Sequence, residues 1–378
     1  MNLHFGCLMY LWIIGLTAAA PSQTMLVYFG TYTGGESGSK GIYASRFDQT
    51  TGMLAEPFLA AETNNPSFLD IHPTGAYLYA VSEDGGAGVV RAFRIDQETG
   101  LLTFLNEQLS EGEGPCHLSV DHAGKYLLVA NYGSGSAAVF PINAAGKLSD
   151  ATGVVQHRGS SVNPRRQKSP HAHSINVSPD DRYAFVADLG IDKIMIYLLN
   201  REKGTLKPAK PAFTELAAGS GPRHFSFHPD GRYAYVINEL SCTVTAFDYQ
   251  ADQGILKEKQ TISTLPKDFE GENTCAEIRV HPSGKFLYGS NRGHNSIAMY
   301  KINPDDGTLI PNGHITDGIQ TPRNFNIDPD GKFCLVANQG NDTVIVFRIN
   351  QDDGRLEPSG SVIHLGKPVC VRFVKTKG

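Results

Sequence analysis

The feature that most constrains this chain is a hairpin that recurs six times along it. It is clearest at Pro222-Arg-His-Phe-Ser-Phe-His-Pro-Asp-Gly-Arg-Tyr-Ala-Tyr-Val-Ile-Asn238, where alternating residues run into a Pro-Asp-Gly turn and leave along an aromatic and aliphatic strand. The same pattern begins at Pro66, Pro115, Ala172, Cys275 and Pro322. Nine positions on lies a turn glycine, at Gly75, Gly124, Gly231, Gly284 and Gly331, with Asp181 in its place once. Seven further on comes a small or amide-type residue: Ser82, Asn131, Asp188, Asn238, Asn291 or Asn338. Successive turns are 49, 57, 50, 53 and 47 residues apart.

Each hairpin is followed by a third strand, such as Thr243–Tyr249 or Ser296–Ile302. A Gly-Xaa-Leu element then leads into a fourth, at Gly100–Leu102, Gly204–Leu206, Gly307–Leu309 and Gly354–Leu356. Four short strands per repeat of about 50 residues make one blade of a β-propeller. The 40 glycines and 21 prolines of the chain suit this many turns better than they suit helices.

The ends decide the blade count. Pro368–Val374 resembles only a first strand, Met25–Tyr32 a second and Gly41–Phe47 a third. The expected fold is therefore all-β: a seven-bladed propeller of four-stranded antiparallel blades, closed by terminal strands that share one blade. Closure removes the free sheet edges that invite aggregation. The glycine-rich stretch 34–41 lacks the Gly-Lys-Ser/Thr of a phosphate loop and reads as a hairpin loop.

Residues 25–378 are expected to form this single domain. Residues 8–20 (LMYLWIIGLTAAA) are too short for a membrane span. They read as a cleaved leader, which implies a periplasmic or extracellular protein, or as an extension upstream of a true start at Met25, which implies a cytoplasmic one. A net charge of −5 without a long basic run argues against nucleic-acid binding. Beyond Cys7, the five cysteines are scattered, odd in number and without CxxC spacing, so they are expected to be buried apolar residues rather than a disulfide framework.

In a blade, the start of strand one and the end of strand two meet on one face of the disc. A purely structural propeller would repeat the same residues there. Here the leading residues are Ser67, Cys116, His173, Arg223, Ala276 and Arg323, followed by Phe68, His117, Ser174, His224, Glu277 and Asn324. Those leaving strand two are Glu83, Tyr132, Leu189, Glu239, Arg292 and Gln339. This departure from repetition marks one mouth as the candidate site. Taking the turn residue as a pivot places Arg223 opposite Glu239 and Ala276 opposite Arg292. Glu239, at a strand end, is expected to be dispensable for the fold. The His-Pro residues His72, His228 and His281 fall at the opposite face and read as structural; Arg165–Lys168 reads most simply as a solvated loop, although its position just before His171 could place it at the mouth. His171 and His173, two apart, lack a third ligand in the motif for a zinc site, so no metal or other cofactor is expected.

Segments 157–180, 221–240, 275–300 and 321–339 resemble the seven-bladed propeller lactonase family, which includes bacterial 6-phosphogluconolactonases and fungal carboxy-cis,cis-muconate lactonising enzymes; the similarity runs from Leu26 to Val374. The resemblance implies a pocket of His173, Arg223, Glu239 and Arg292, with His171, Glu277 and Arg323 as neighbours; His117 and His224 join them as candidate substrate contacts. It implies metal-independent hydrolysis of a sugar lactone. A histidine would serve as base, and the arginines would bind an anion or the oxyanion. Glu239 would either orient Arg223 or act as acid/base. A muconate-type lactonising enzyme and a non-catalytic binding propeller are the competing readings. The expected partner is a small sugar lactone or related organic acid, bound by a monomer or weak dimer without membrane insertion.

Overall fold

A computed structural model of the chain describes residues 24–83 and 87–374. Residues 8–20, which read as a leader or as an extension upstream of Met25, lie outside them. Seven four-stranded antiparallel sheets follow one another around a ring. Blade I runs from Leu69–Ile71 to Leu102–Glu113, blade II from Pro115–Val120 to Gly153–Gln156, and blade III from Ala172–Val177 to Thr205–Glu215. Blade IV runs from Pro222–Phe227 to Ile255–Ser263, blade V from Thr274–Val280 to Leu309–Ile315, and blade VI from Pro322–Ile327 to Leu356–His364. Blade VII takes its innermost strand, Pro368–Val374, from the C-terminal end and its other three, Thr24–Thr31, Gly41–Asp48 and Phe58–Glu62, from the N-terminal end. The shared blade is thus as expected, with Leu26 paired to Val374 and Gly30 to Cys370.

The turn residues explain the repeat. Gly75, Gly124, Gly231, Gly284 and Gly331 all have φ between 69° and 74°, a region that favours glycine, and Asp181 takes the same conformation at φ 56°. The aspartate brings a compensation, because its carboxylate accepts hydrogen bonds from the backbone N–H groups of His122 and Ala123 in the neighbouring blade, at 2.9 and 3.1 Å.

Aromatic and aliphatic residues on both faces of the middle strands pack between adjacent blades. Phe29 and Phe47 of blade VII meet Phe333 and Val344 of blade VI, and Phe185 stacks on Phe225 across blades III and IV. Polar ties recur at the same joints. Second-strand tyrosines donate to the glycine carbonyl of the next blade's Gly-Xaa-Leu element: Tyr28 to Gly100, Tyr235 to Gly307 and Tyr288 to Gly354, each at 2.8 Å. The His-Pro histidines reach the next blade's turn glycine, with His72, His228 and His281 Nε2 at 2.9, 2.8 and 2.7 Å from the carbonyls of Gly124, Gly284 and Gly331. Their place is structural, at the turn end of the disc. Among the described residues no helix is long and apolar enough to cross a membrane.

Candidate active site

The opposite end of the blades carries the charged residues, and a local irregularity aims them. In blade IV Pro222 pairs with Asn238 but His224 pairs with Ile237, which leaves Arg223 as the extra residue of a β-bulge. The first strands of blades II, III and VI shift at the same point, at Cys116, His173 and Arg323. In blade V the shift falls between Cys275 and Ile278. Strict alternation would send neighbouring side chains to opposite faces of the sheet; a bulge re-aims one of them. Arg223 and His224 therefore both face the channel.

The same bulge corrects the pivot arithmetic. Glu239 lies one residue beyond the paired Asn238, and Thr274, not Ala276, pairs with Arg292. The contact between Arg223 and Glu239 survives, with Nε donating to Oε2 at 2.9 Å.

Glu239 is the hub. Oε2 also lies 2.9 Å from Arg292 Nη2, and Oε1 accepts from Arg166 Nη2 at 2.6 Å. His173 Nε2 stands 3.8 Å from Oε2. Only 4% of Glu239 is exposed, so its position at a strand end does not leave it on the surface. Burial pushes its carboxyl up, but Arg292, Arg223, His173 and Arg166 outweigh burial and hold it well below the usual carboxylate range. Burial, followed by the charge of Arg223, pulls His173 well below the usual histidine range, so its imidazole is neutral at pH 7. Burial draws Arg292 down to about 10, which leaves it a cation.

Around this hub opens a cavity of about 300 Å³, walled by Glu239, Arg292, Arg166, His173, Arg323 and Cys116, with Tyr132, Thr274 and Glu83 completing the rim. His173, Glu239 and Arg292, which stand as far apart in the chain as blades III and V, thus share one mouth, and Arg223 lies just beneath it, bonded to Glu239. Arg323 joins them and donates to the Tyr32 hydroxyl at 2.9 Å, which in turn donates to Glu83 at 2.8 Å. The other expected contacts lie further off. His171 stacks on Tyr132 behind the wall, its Nδ1 2.9 Å from the Tyr132 carbonyl. His117, His224 and Glu277 are buried one layer deeper, down the channel. There the ring centres of His117 and His224 lie 5.2 Å apart, and Glu277 reaches Arg279 at 3.4 Å. His117 and Glu277 take no part in the cavity wall.

Several lining residues escape a reading of the repeat. Arg166 sits in the loop that reads as solvated, but that loop is pinned, since Gln167 Nε2 donates to the Leu189 carbonyl at 2.9 Å and to Asp192 at 2.8 Å. Its signal was the unpaired basic run just before His171. Glu83 and Tyr132 are visible as strand-two ends that break repetition, and Tyr32 comes from the chain-closing blade. Cys116 points its thiol at His173 Nδ1 from 3.7 Å, and burial raises its pKa far above the usual thiol range. A larger cavity of about 490 Å³ lies at the turn end near Tyr233 and Phe286, but its cations Arg232, Lys285 and Lys301 are exposed to solvent. Among the described residues, no group of three or more His, Cys, Asp or Glu is placed to hold a metal ion.

Known proteins share this arrangement of chain. The family model described as lactonase, 7-bladed beta-propeller, matches residues 26–373. A 6-phosphogluconolactonase of Bacillus subtilis (strain 168) is 39% identical over 298 residues, covering 79% of this chain and 83% of that protein. One from Formosa agariphila is 37% identical over 307 residues, covering 79% and 85%. The solved structure of the periplasmic gluconolactonase of Pseudomonas aeruginosa superposes with a TM-score of 0.89 at 35% identity, over 94% of this chain and 100% of that one.

Proposed function

From the chain's membership of the seven-bladed β-propeller lactonase family, we infer that it is a lactone hydrolase of the 6-phosphogluconolactonase kind, which opens a sugar lactone to the aldonic acid. The observation that carries the mechanism is a neutral, buried His173 beside a set of arginines held by one carboxylate. Lactone opening needs a base for water and a positive field for the oxyanion. His173 supplies the first: it accepts a proton from the attacking water and returns it to the ring oxygen when the acyl–oxygen bond breaks. Arg292 and Arg323 supply the second, aimed into the cavity from two blades.

Glu239 orients rather than reacts. Its oxygens are occupied by three guanidinium groups, and a carboxyl held so far below its usual range carries no proton to give at neutral pH. Three arginines (166, 292, 323) against two carboxylates (83, 239) line the cavity, and Arg223 backs Glu239 from beneath, so positive charge is in excess, which suits an anionic, phosphorylated lactone. This charge supplies transition-state stabilisation from the protein's own groups, in keeping with a metal-independent reaction.

The test is turnover of 6-phosphogluconolactone and of unphosphorylated gluconolactone, with and without EDTA, after subtraction of spontaneous hydrolysis. The expected result is a higher kcat/KM for the phosphorylated substrate, unchanged by the chelator. Loss of activity in EDTA and recovery with a divalent ion would overturn the metal-free mechanism. Equal kcat/KM for both lactones would overturn the phosphate preference. We also propose that residues 8–20 direct export; a protein whose purified N-terminus is Met25 when expressed in its own host would refute that.

A further inference from the structure

Below the main cavity the channel narrows to a second chamber of about 10 Å³. His173, Cys116, Arg323 and Glu83 border both spaces, so the two adjoin across these side chains. Ser67, Arg223, His224 and Asn324 border the lower one and not the upper. That volume is near the minimum at which a polar cavity holds a single water with two or more polar partners.

Two buried polar atoms at this level lack a hydrogen-bond partner among the described residues, Ser67 Oγ and His224 Nδ1. His224 Nδ1 does lie 3.1 Å from Glu277 Oε1, but out of line for a hydrogen bond, so the contact is electrostatic. It favours the tautomer with the proton on Nδ1, which leaves Nε2 as an acceptor. Glu277 itself is fixed, because one oxygen accepts from the Ile278 N–H at 3.0 Å and the other from Asn324 Nδ2. The His224 ring stands edge-on to that of His173, centres 5.6 Å apart. An unpaired hydroxyl left in such a place costs about 1–3 kcal/mol, a cost that a bound water removes.

We propose that this lower chamber holds the water that opens the lactone. It is seated by Ser67 and by His224, which Glu277 holds in place, and is delivered to His173 from beneath the substrate rather than from the solvent mouth. This rests on the lactone-hydrolase reading above. The seated water loses a proton to His173, and its oxygen forms a bond to the lactone carbonyl carbon, whose π electrons become the oxyanion. On collapse the bond to the ring oxygen breaks, and that oxygen takes the proton from His173. Lactone plus water gives hydroxy acid, and no further reactant is needed. Ser67 and His224 are positioning residues in this scheme; Arg166 and Arg292, which line the upper cavity alone, hold the substrate's anionic group above them. Their loss therefore lowers kcat and leaves KM alone.

The experiment compares wild type with Ser67→Ala, which removes the hydroxyl, Ser67→Val, which also fills the chamber, and His224→Gln. The expected result is a kcat lowered roughly 10–100-fold, the scale of a misplaced reactant in a proton-transfer step, with the loss larger for Val than for Ala. KM and the affinity for the aldonic acid product should stay within about 2-fold. A high-resolution structure should show an ordered water in reach of Ser67 and His224. Wild-type kcat in both Ser67 variants, or a chamber without that water at high resolution, overturns the proposal while the lactonase reading stands. A wild-type protein without turnover overturns both.

Discussion

Exchange of Glu239 for Gln tests whether one carboxylate organises the site. Its side chain and those of Arg223 and Arg292 are 5%, 3% and 13% exposed, whereas Arg166 is 37% exposed and its share is screened by solvent. Removing one partner of a buried charge cluster costs about 3–5 kcal/mol, because the remaining charges are left uncompensated. Glutamine keeps one acceptor oxygen for one of the guanidinium groups, which places the expected loss near the lower end, about 3 kcal/mol. At roughly 2–3 °C per kcal/mol for a domain of this size, Tm should fall by about 6–9 °C. The freed arginines also lose their aim at the substrate, so kcat/KM should drop by about 10² or more. Differential scanning calorimetry and initial-rate assays read both effects. Adding Arg223→Met to Glu239→Gln should restore part of the stability, since it removes the orphaned charge, and a double-mutant cycle measures that coupling. Glu239→Gln melting within 2 °C of wild type would refute the hub.

His173→Ala should lower kcat by roughly 10²–10⁴, the usual contribution of a positioned base; wild-type turnover in this variant would assign the base elsewhere. The pH dependence has a definite sign. His117, His173 and His224 are all held below their ordinary value of 6.5, chiefly by burial, so the stability they contribute is present above pH 6.5 and is lost as pH falls below it. Glu239 adds a further loss below its ordinary 4.5, so urea denaturation should give a flat stability from pH 8 to 6.5 and a decline on acidification; a flat profile down to pH 4 would refute this. Deletion of residues 368–378 removes the buried Val369, Val371 and Val374 from the closing blade. At about 1.5–3 kcal/mol each, their loss approaches the whole stability of a typical domain, so the truncated chain should lose cooperative unfolding. Asp181→Gly relieves a left-handed residue by about 0.5–1 kcal/mol but deletes its hydrogen bonds to His122 and Ala123, each about 1.5 kcal/mol or more, so the net effect on urea unfolding should be a loss.

The architecture and the face that carries the chemistry were legible in the residues themselves. A hairpin turn needs a left-handed residue at a fixed place, and strands alternate with period two, so both leave a mark that does not depend on what surrounds them. Six such marks and two half-repeats were enough to count seven blades and to join the ends. Residues that break the repeat, from His173 to Arg323, likewise stood out because a scaffold alone has no need of them. Only the tertiary structure decided which of these touch. Bulges at Cys116, His173, Arg223 and Arg323 shift the register, and a bulge depends on how neighbouring blades crowd the channel rather than on any local signal. The same limit applies to Arg166: its place before His171 points towards the mouth, but nothing in a basic loop tells that Gln167 pins it or that Glu239, at the end of the second strand of blade IV, stands ready to receive its charge. It also hid the depth of His117, His224 and Glu277, because how far a side chain lies down a channel is set by the closure of the whole ring.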